Sequence, residues 1–280
     1  MELIDTHQHL VYPDVAGYAW TDGILPLANK EFTLETYKEL TKNAHIIGTV
    51  FMETGADDAD YQTEARFVAQ LMQQKNSGIL GIIASCRPEE DSGFSEWLDE
   101  CANLGVVGYR RMLHVMDDNL SKSETFRRNV AAIGARGKTF DLCVLPKQLA
   151  IGMDLVTFCP NTKFILNHCG VPDIAGGGLD PWRANMTALA SHENVTCKLS
   201  GLLAYCNAGT ATLSSIRPYL DHVLEIFGPT RIVWGSDWPV VELANGLHDW
   251  IDITNAILCE LSISEANMIG NDTTRRIYGL

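Results

Sequence analysis

Apolar residues fall along this chain in short β-branched blocks that recur eight times, at 3–10, 45–54, 78–86, 105–113, 138–145, 163–169, 195–201 and 231–237. Several are almost unbroken, such as Ile46-Ile47-Gly48-Thr49-Val50-Phe51-Met52 and Ile79-Leu80-Gly81-Ile82-Ile83-Ala84. Unbroken runs suit parallel strands covered on both faces better than half-exposed antiparallel ones. Between the blocks the apolar spacing lengthens to helical periods, as at Ala65, Val68, Ala69 and Met72 within 58–75. Ser121, three residues before Glu124, predicts a capping box opening a helix over 122–136. Pro146 opens and Pro160 closes a helix over 147–158, and Gly228-Pro229 stops one over 215–227. Two more helices, 247–260 and 264–277, follow the last block.

Strand and helix therefore alternate from end to end, which calls for parallel strands joined by right-handed crossovers. Eight such units in 280 residues predict an α/β fold of the (β/α)8 TIM-barrel type, one domain over 1–280. An open doubly wound sheet is the alternative, but no Gly-x-Gly-x-x-Gly follows the first block. Gly176-Gly177-Gly178 has no Lys-Ser/Thr after it and reads as a loop.

The net charge of −14 disfavours nucleic acid and anionic membrane as partners, because both would repel the surface. Eight cysteines, at 86, 101, 143, 159, 169, 197, 206 and 259, include no Cys-x-x-Cys pair. With no leader before the first block and no apolar run of roughly 18 residues, the expectation is a soluble, reduced, cytoplasmic protein.

In barrels of this type the chemistry sits at the carboxyl ends of the strands. His7 and His9, two residues apart on the first strand, share a face. The fourth block ends Tyr109-Arg110-Arg111-Met112-Leu113-His114, and the fifth carries Asp141. The sixth ends Asn167-His168-Cys169-Gly170, the seventh carries Lys198 and Ser200, and the eighth ends Ser236-Asp237-Trp238-Pro239. His7, His9, His114 and His168 thus meet at one rim, while His45 lies at the opposite end and His192, His222 and His248 on or near helices. Parity with His114 turns Arg110 inward and leaves Arg111 for surface carboxylates. Lys198 pairs with Asp141 or Asp237, or serves the substrate with Arg110, His114 and Asp141. Tyr18, Trp20 and Trp238 are candidate pocket walls, and loops 11–31, 87–94, 171–181 and 202–213 should carry specificity.

Four stretches together carry a resemblance: Asp5-Thr6-His7-Gln8-His9, Asn167-His168-Cys169-Gly170-Val171-Pro172-Asp173, Cys197-Lys198-Leu199-Ser200-Gly201 and Trp234-Gly235-Ser236-Asp237-Trp238-Pro239. They resemble the amidohydrolase-2 branch of the amidohydrolase superfamily, and within it the lactonase group of sugar-lactone hydrolases and 2-pyrone-4,6-dicarboxylate hydrolase. The resemblance implies a distorted barrel that hydrolyses a cyclic ester. It also implies a ligand pattern that this chain keeps only in part. The first-strand histidine pair, His168 and Asp237 are present, but Arg110-Arg111 replaces a bridging Lys or Glu and Asp141 replaces a fifth-strand His. A binuclear centre is therefore not expected. The lactonase group works without metal, so no cofactor is expected to be required. One Zn²⁺ on His7, His9, His168 and Asp237 is the alternative.

The expected reaction is the opening of a small lactone, a sugar-acid lactone first, in carbohydrate metabolism. Asp237 would be the general base on water, and His7, His9 and His168 would polarise the carbonyl through donor nitrogens or a shared metal. Arg110 would grip a carboxylate or hydroxyls with its planar fork. The alternatives are a mononuclear metal-dependent hydrolase or decarboxylase of the same branch, a dicarboxylate pyrone or lactone hydrolase, and a non-catalytic sugar- or acid-binding barrel. A small-molecule lactone is the expected partner, and a homo-oligomer is compatible with the sequence.

Overall fold

The computed structural model describes residues 1–280. Its centre is an eight-stranded parallel sheet in strict chain order: β1 (Leu3–Gln8), β2 (Ile46–Met52), β3 (Ile79–Ser85), β4 (Val106–Met112), β5 (Thr139–Cys143), β6 (Lys163–Leu166), β7 (Val195–Leu199) and β8 (Ile232–Trp234). A helix follows each strand: α1 (Leu34–Thr41), α2 (Tyr61–Met72), α3 (Phe94–Cys101), α4 (Glu124–Ala135), α5 (Leu149–Phe158), α6 (Trp182–Ala190), α7 (Leu213–Phe227) and α8 (Leu247–Cys259). Two short helices, α9 (Ile263–Asn267) and α10 (Thr273–Tyr278), finish the chain across one π turn. This is the TIM barrel that the alternating blocks predict. No helix is long and apolar enough to cross a membrane.

The ring closes without a regular β8–β1 ladder, because β8 is only three residues long. Its seam is a single bridge between Gln8 and Trp238, reinforced by individual bonds. His9 N donates to Trp238 O at 2.8 Å, Asp237 N to His7 O at 2.9 Å, and Thr6 Oγ1 to Trp234 O at 2.7 Å. The buried Asp5 carboxylate accepts from Ser236 N at 2.8 Å and from the Tyr37 hydroxyl at 2.6 Å. Each seam contact ties one end of the chain to the other.

Most of the core lies between strands and helices, where Trp97, Phe126, Trp182, Leu220 and Trp250 bury the apolar helix faces. A second, smaller cluster joins Ile4, Val50, Met52, Ile83, Ile165 and Val233 to Ile277 and Tyr278 of α10. The C-terminal helix therefore plugs the end of the barrel away from the histidine rim. Gly270 permits the approach, since a Cβ there would stand 2.7 Å from Glu2 O.

Some local expectations shift. The α4 cap is Ser123, whose extended backbone lets Oγ accept from Phe126 N at 3.2 Å, whereas Ser121 is buried in a preceding 3-10 turn. The sixth strand stops at Leu166 and the eighth at Trp234, because each chain turns sharply there to deliver a rim residue. The last helix is broken into α9, the π turn and α10 rather than running over 264–277.

One buried acid sets a pH dependence of stability. Glu64 on α2 accepts from Thr54 N at 3.2 Å, and burial, then the Glu53 charge, push its carboxyl up to about 8. The folded state therefore holds a proton that the unfolded chain releases near its ordinary value of 4.5. Between those values the folded state binds more protons, so this contribution is full in acid and is lost as pH rises from about 4.5 through 8. Glu64→Gln should remove that loss. Urea unfolding at pH 5.5 and 8.5 should show the variant gaining roughly 3–5 kcal/mol on wild type over the interval. Equal slopes for the two proteins would refute the assignment.

Candidate active site

The rim histidines converge on one carboxylate. Asp237 Oδ1 lies 3.7 Å from His7 Nε2 and 3.6 Å from His9 Nε2, and Oδ2 lies 3.8 Å from His168 Nδ1. The His7 ring sits 4.8 Å from that of His9 and 4.4 Å from that of His168, centroid to centroid. All four side chains are buried.

Local backbone geometry produces this convergence. His168 and Asp237 both occupy the left-handed region, at φ 52° and 59°. Such conformations cost about 1–3 kcal/mol outside glycine, so surrounding contacts must hold them. Here Asp237 N is tied to His7 O, and Ser200 Oγ lies 2.9 Å from His168 Nδ1. Gly201 makes room for both, because a Cβ at its φ of +70° would stand 2.7 Å from His168 Nδ1 and 3.1 Å from Asp237 Oδ2.

Burial, then Lys198, lowers His7 well below the ordinary histidine range. Burial lowers His168 to about 4 despite the opposing pull of Asp237. For Asp237, burial acts upward, but His168, His9 and Arg110 outweigh it and hold the carboxyl below its usual value. At neutral pH the site therefore carries an ionised carboxylate beside uncharged His7 and His168.

Hydrogen bonding assigns two tautomers. Met52 O, 3.0 Å from His9 Nδ1, can only accept, so Nδ1 carries a proton while the Nε2 of the same ring lies toward Asp237. Arg110 Nη1, 3.4 Å from His7 Nε2, can only donate, so His7 presents a lone pair there. The proton on His7 Nδ1 then has no partner in the protein. The His7 and His9 Nε2 atoms and the Asp237 carboxylate thus lie together on one side of the cluster. His7, His168 and Asp237 present ligand atoms within 4.8 Å of one another, and as a donor set they fit a divalent metal.

Arg110 faces inward, as its parity predicts, but its charge is engaged. Its Nε pairs with Glu53 Oε1 and its Nη2 donates to Glu53 O at 2.6 Å. Burial acts to raise Glu53, but Arg110 wins and holds it low. Arg111 turns to Glu89 and Asp58, and Arg87 to Asp58 at 2.6 Å. Lys198 pairs with Asp141 rather than Asp237. Its Nζ donates to Asp141 Oδ1 at 2.8 Å and to Thr6 O at 2.9 Å, and Asn167 Nδ2 donates to the same carboxylate oxygen at 2.7 Å.

The descent is read from the whole chain: residues 4–280 match the Amidohydro_2 family, described as amidohydrolase. The chain belongs to the amidohydrolase family. It is 26% identical over 278 residues to an L-fucono-1,5-lactonase of Burkholderia ambifaria, an alignment covering 99% of this chain and 92% of that protein. A zinc-bound amidohydrolase structure from Burkholderia multivorans superposes with a TM-score of 0.90 at 24% identity, covering 100% of both chains. A probable 2-pyrone-4,6-dicarboxylic acid hydrolase from Acinetobacter baumannii, with citric acid bound, superposes with a TM-score of 0.80 at 18% identity, again over 100% of both.

Within this amidohydrolase the structure brings together His7, His9, His168, Asp237 and Arg110 of the predicted set. Asp141 and Lys198 do not line the site; both have zero exposure and seal each other inside the barrel. His114 is half-buried at the rim with Nδ1 3.1 Å from Cys143 Sγ. Trp20 is also half-buried, donating from Nε1 to Thr54 O at 2.8 Å, and Trp238 is packed against Phe32 and Tyr37. The sequence reading missed Glu53, although it stands at the carboxyl end of the second block, where the rim rule could have found it.

Proposed function

We propose that this amidohydrolase opens an uncharged, polyhydroxylated lactone, a sugar-acid lactone, by water attack at the carbonyl. The observation that carries this reading is the accounting of charge at the rim. Arg87, Arg110, Arg111 and Lys198 are each matched by an acidic partner, so no cation is left over for a substrate carboxylate. A neutral polyol ring needs hydrogen-bonding groups only, and the likeness to L-fucono-1,5-lactonase supports the same choice. The match to dicarboxylate hydrolase structures carries the fold alone.

The chemistry follows from the ionised carboxylate. A water seated beside Asp237 Oδ1 donates one hydrogen to it, which leaves an oxygen lone pair for the substrate. Asp237 takes one proton as the oxygen adds to the carbonyl carbon. The Arg110 Nη1, beside His7, keeps an N–H free of Glu53 to donate to the oxygen that becomes negative. The ring C–O bond then breaks, and the proton returns from Asp237 to the departing alkoxide. When bound, a divalent metal on His7, His9, His168 and Asp237 would add Lewis-acid polarisation of the carbonyl. With Arg110 already in place, turnover should not require it.

A panel of aldono-1,4- and 1,5-lactones, read by proton release before and after exhaustive chelation, tests both statements. At least one aldonolactone should turn over, with kcat/KM changed less than threefold by chelation, and 2-pyrone-4,6-dicarboxylate should not. Loss of activity on chelation, restored by Zn²⁺, would overturn the metal-independent reading. Preference for the dicarboxylate would overturn the charge argument.

A further inference from the structure

Opening a lactone places developing negative charge on two oxygens in turn, the carbonyl oxygen and the ring oxygen. His7 takes a hydrogen bond from Arg110 Nη1, and His9 commits its Nδ1 proton to Met52 O. Arg110 stands with His7 and His9 on the Oδ1 side of Asp237. The Oδ2 side is that of His168 and Gly201.

One further polar group belongs to that side. Tyr205 ends the 3-10 turn that starts one residue after Gly201, and its ring meets that of His168 edge-on at 6.4 Å. Its backbone is fixed, because Tyr205 O accepts from Ala175 N at 3.0 Å, tying the loop after β7 to the loop after β6. Asn207 Nδ2 reinforces the tie by donating to Ala175 O at 3.0 Å. Among charged groups the phenol feels Asp237 most strongly. Yet the half-buried hydroxyl makes no hydrogen bond within the protein, and it is not among the fully buried unpartnered atoms. A phenol beside the base, on a backbone held by the neighbouring loop and with its donor uncommitted within the protein, is placed for a ligand.

Resting on the lactone reading above, we propose that the Tyr205 hydroxyl donates a hydrogen bond to the lactone ring oxygen as the ring C–O bond breaks. The phenol keeps its proton throughout; the bonding pair of the broken C–O bond goes to the ring oxygen. The proton that completes the new hydroxyl is the one Asp237 took from water. Tyr205 and Arg110 thereby divide the two oxygens of the tetrahedral carbon between opposite sides of Asp237. Because the bond strengthens only as charge develops on the ring oxygen, the interaction should appear in kcat rather than in KM.

Tyr205→Phe removes the hydroxyl and keeps the ring edge on His168, which separates a donor from a packing role. On the best aldonolactone of the panel, kcat should fall about 100-fold, the effect typical of one lost oxyanion donor, with KM within threefold and an unchanged melting temperature. A kcat within threefold of wild type would overturn the proposal and leave the lactonase reading standing. So would a loss confined to KM, or one accompanied by a lower melting temperature. If wild type opens no lactone on the panel, the lactonase reading fails, and the proposal built on it fails too.

Discussion

Asp237→Asn is expected to lower kcat by about 10³–10⁴-fold while leaving lactone affinity within a few-fold. The amide matches the carboxylate in size and tolerates the left-handed backbone at φ 59°, as asparagine does more readily than most residues. What it removes is the proton acceptor. Single-turnover kinetics, paired with calorimetric titration of the slow variant by the lactone, separates the chemical step from binding. Activity within tenfold of wild type would remove Asp237 from the role of base.

Lys198→Met is expected to cost about 3–5 kcal/mol of stability, because it strands the Asp141 carboxylate at zero exposure with only Asn167 to answer it. Burial is also what lowers Lys198 against the pull of Asp141, so neither charge would be retained here without the other. A double variant, Lys198→Met with Asp141→Leu, should recover most of the loss, since matched apolar groups carry no desolvation penalty. Urea unfolding of the two single variants and the double variant gives the coupling directly. A single-variant loss below 1 kcal/mol would mean that water reaches the pair.

Much of this could be read from the chain before any coordinates. Eight parallel strands were legible because both-face burial makes each of them nearly all apolar. His7, His9, His168 and Asp237 were legible because barrel chemistry collects at one end of each strand. Glu53 was not, since its meaning depends on Arg110, fifty-seven residues later, facing it across the barrel. The roles of Asp141 and Lys198 were half legible: the pair could be named, but the depth that removes it from the substrate is a property of register, which puts Lys198 opposite Val233 and Asp141 opposite Arg110 and Ile165. The tautomers lay furthest from view. The His9 Nδ1 proton and the His7 Nε2 lone pair follow from the carbonyl of Met52 and the guanidinium of Arg110, which the spacing of the histidines does not reveal.

The seam between β1 and β8 gives the catalytic group a particular dependence on the whole chain. His7 and His9 are contributed by the first strand and Asp237 by the turn after the last, and the two meet across the one junction of the ring without a regular ladder. No fragment lacking either end can assemble the water cradle, and no nascent chain can do so before its final strand has emerged. With the proposed roles of these residues, turnover would report ring closure itself, and any partly folded form, however helical, would be catalytically silent.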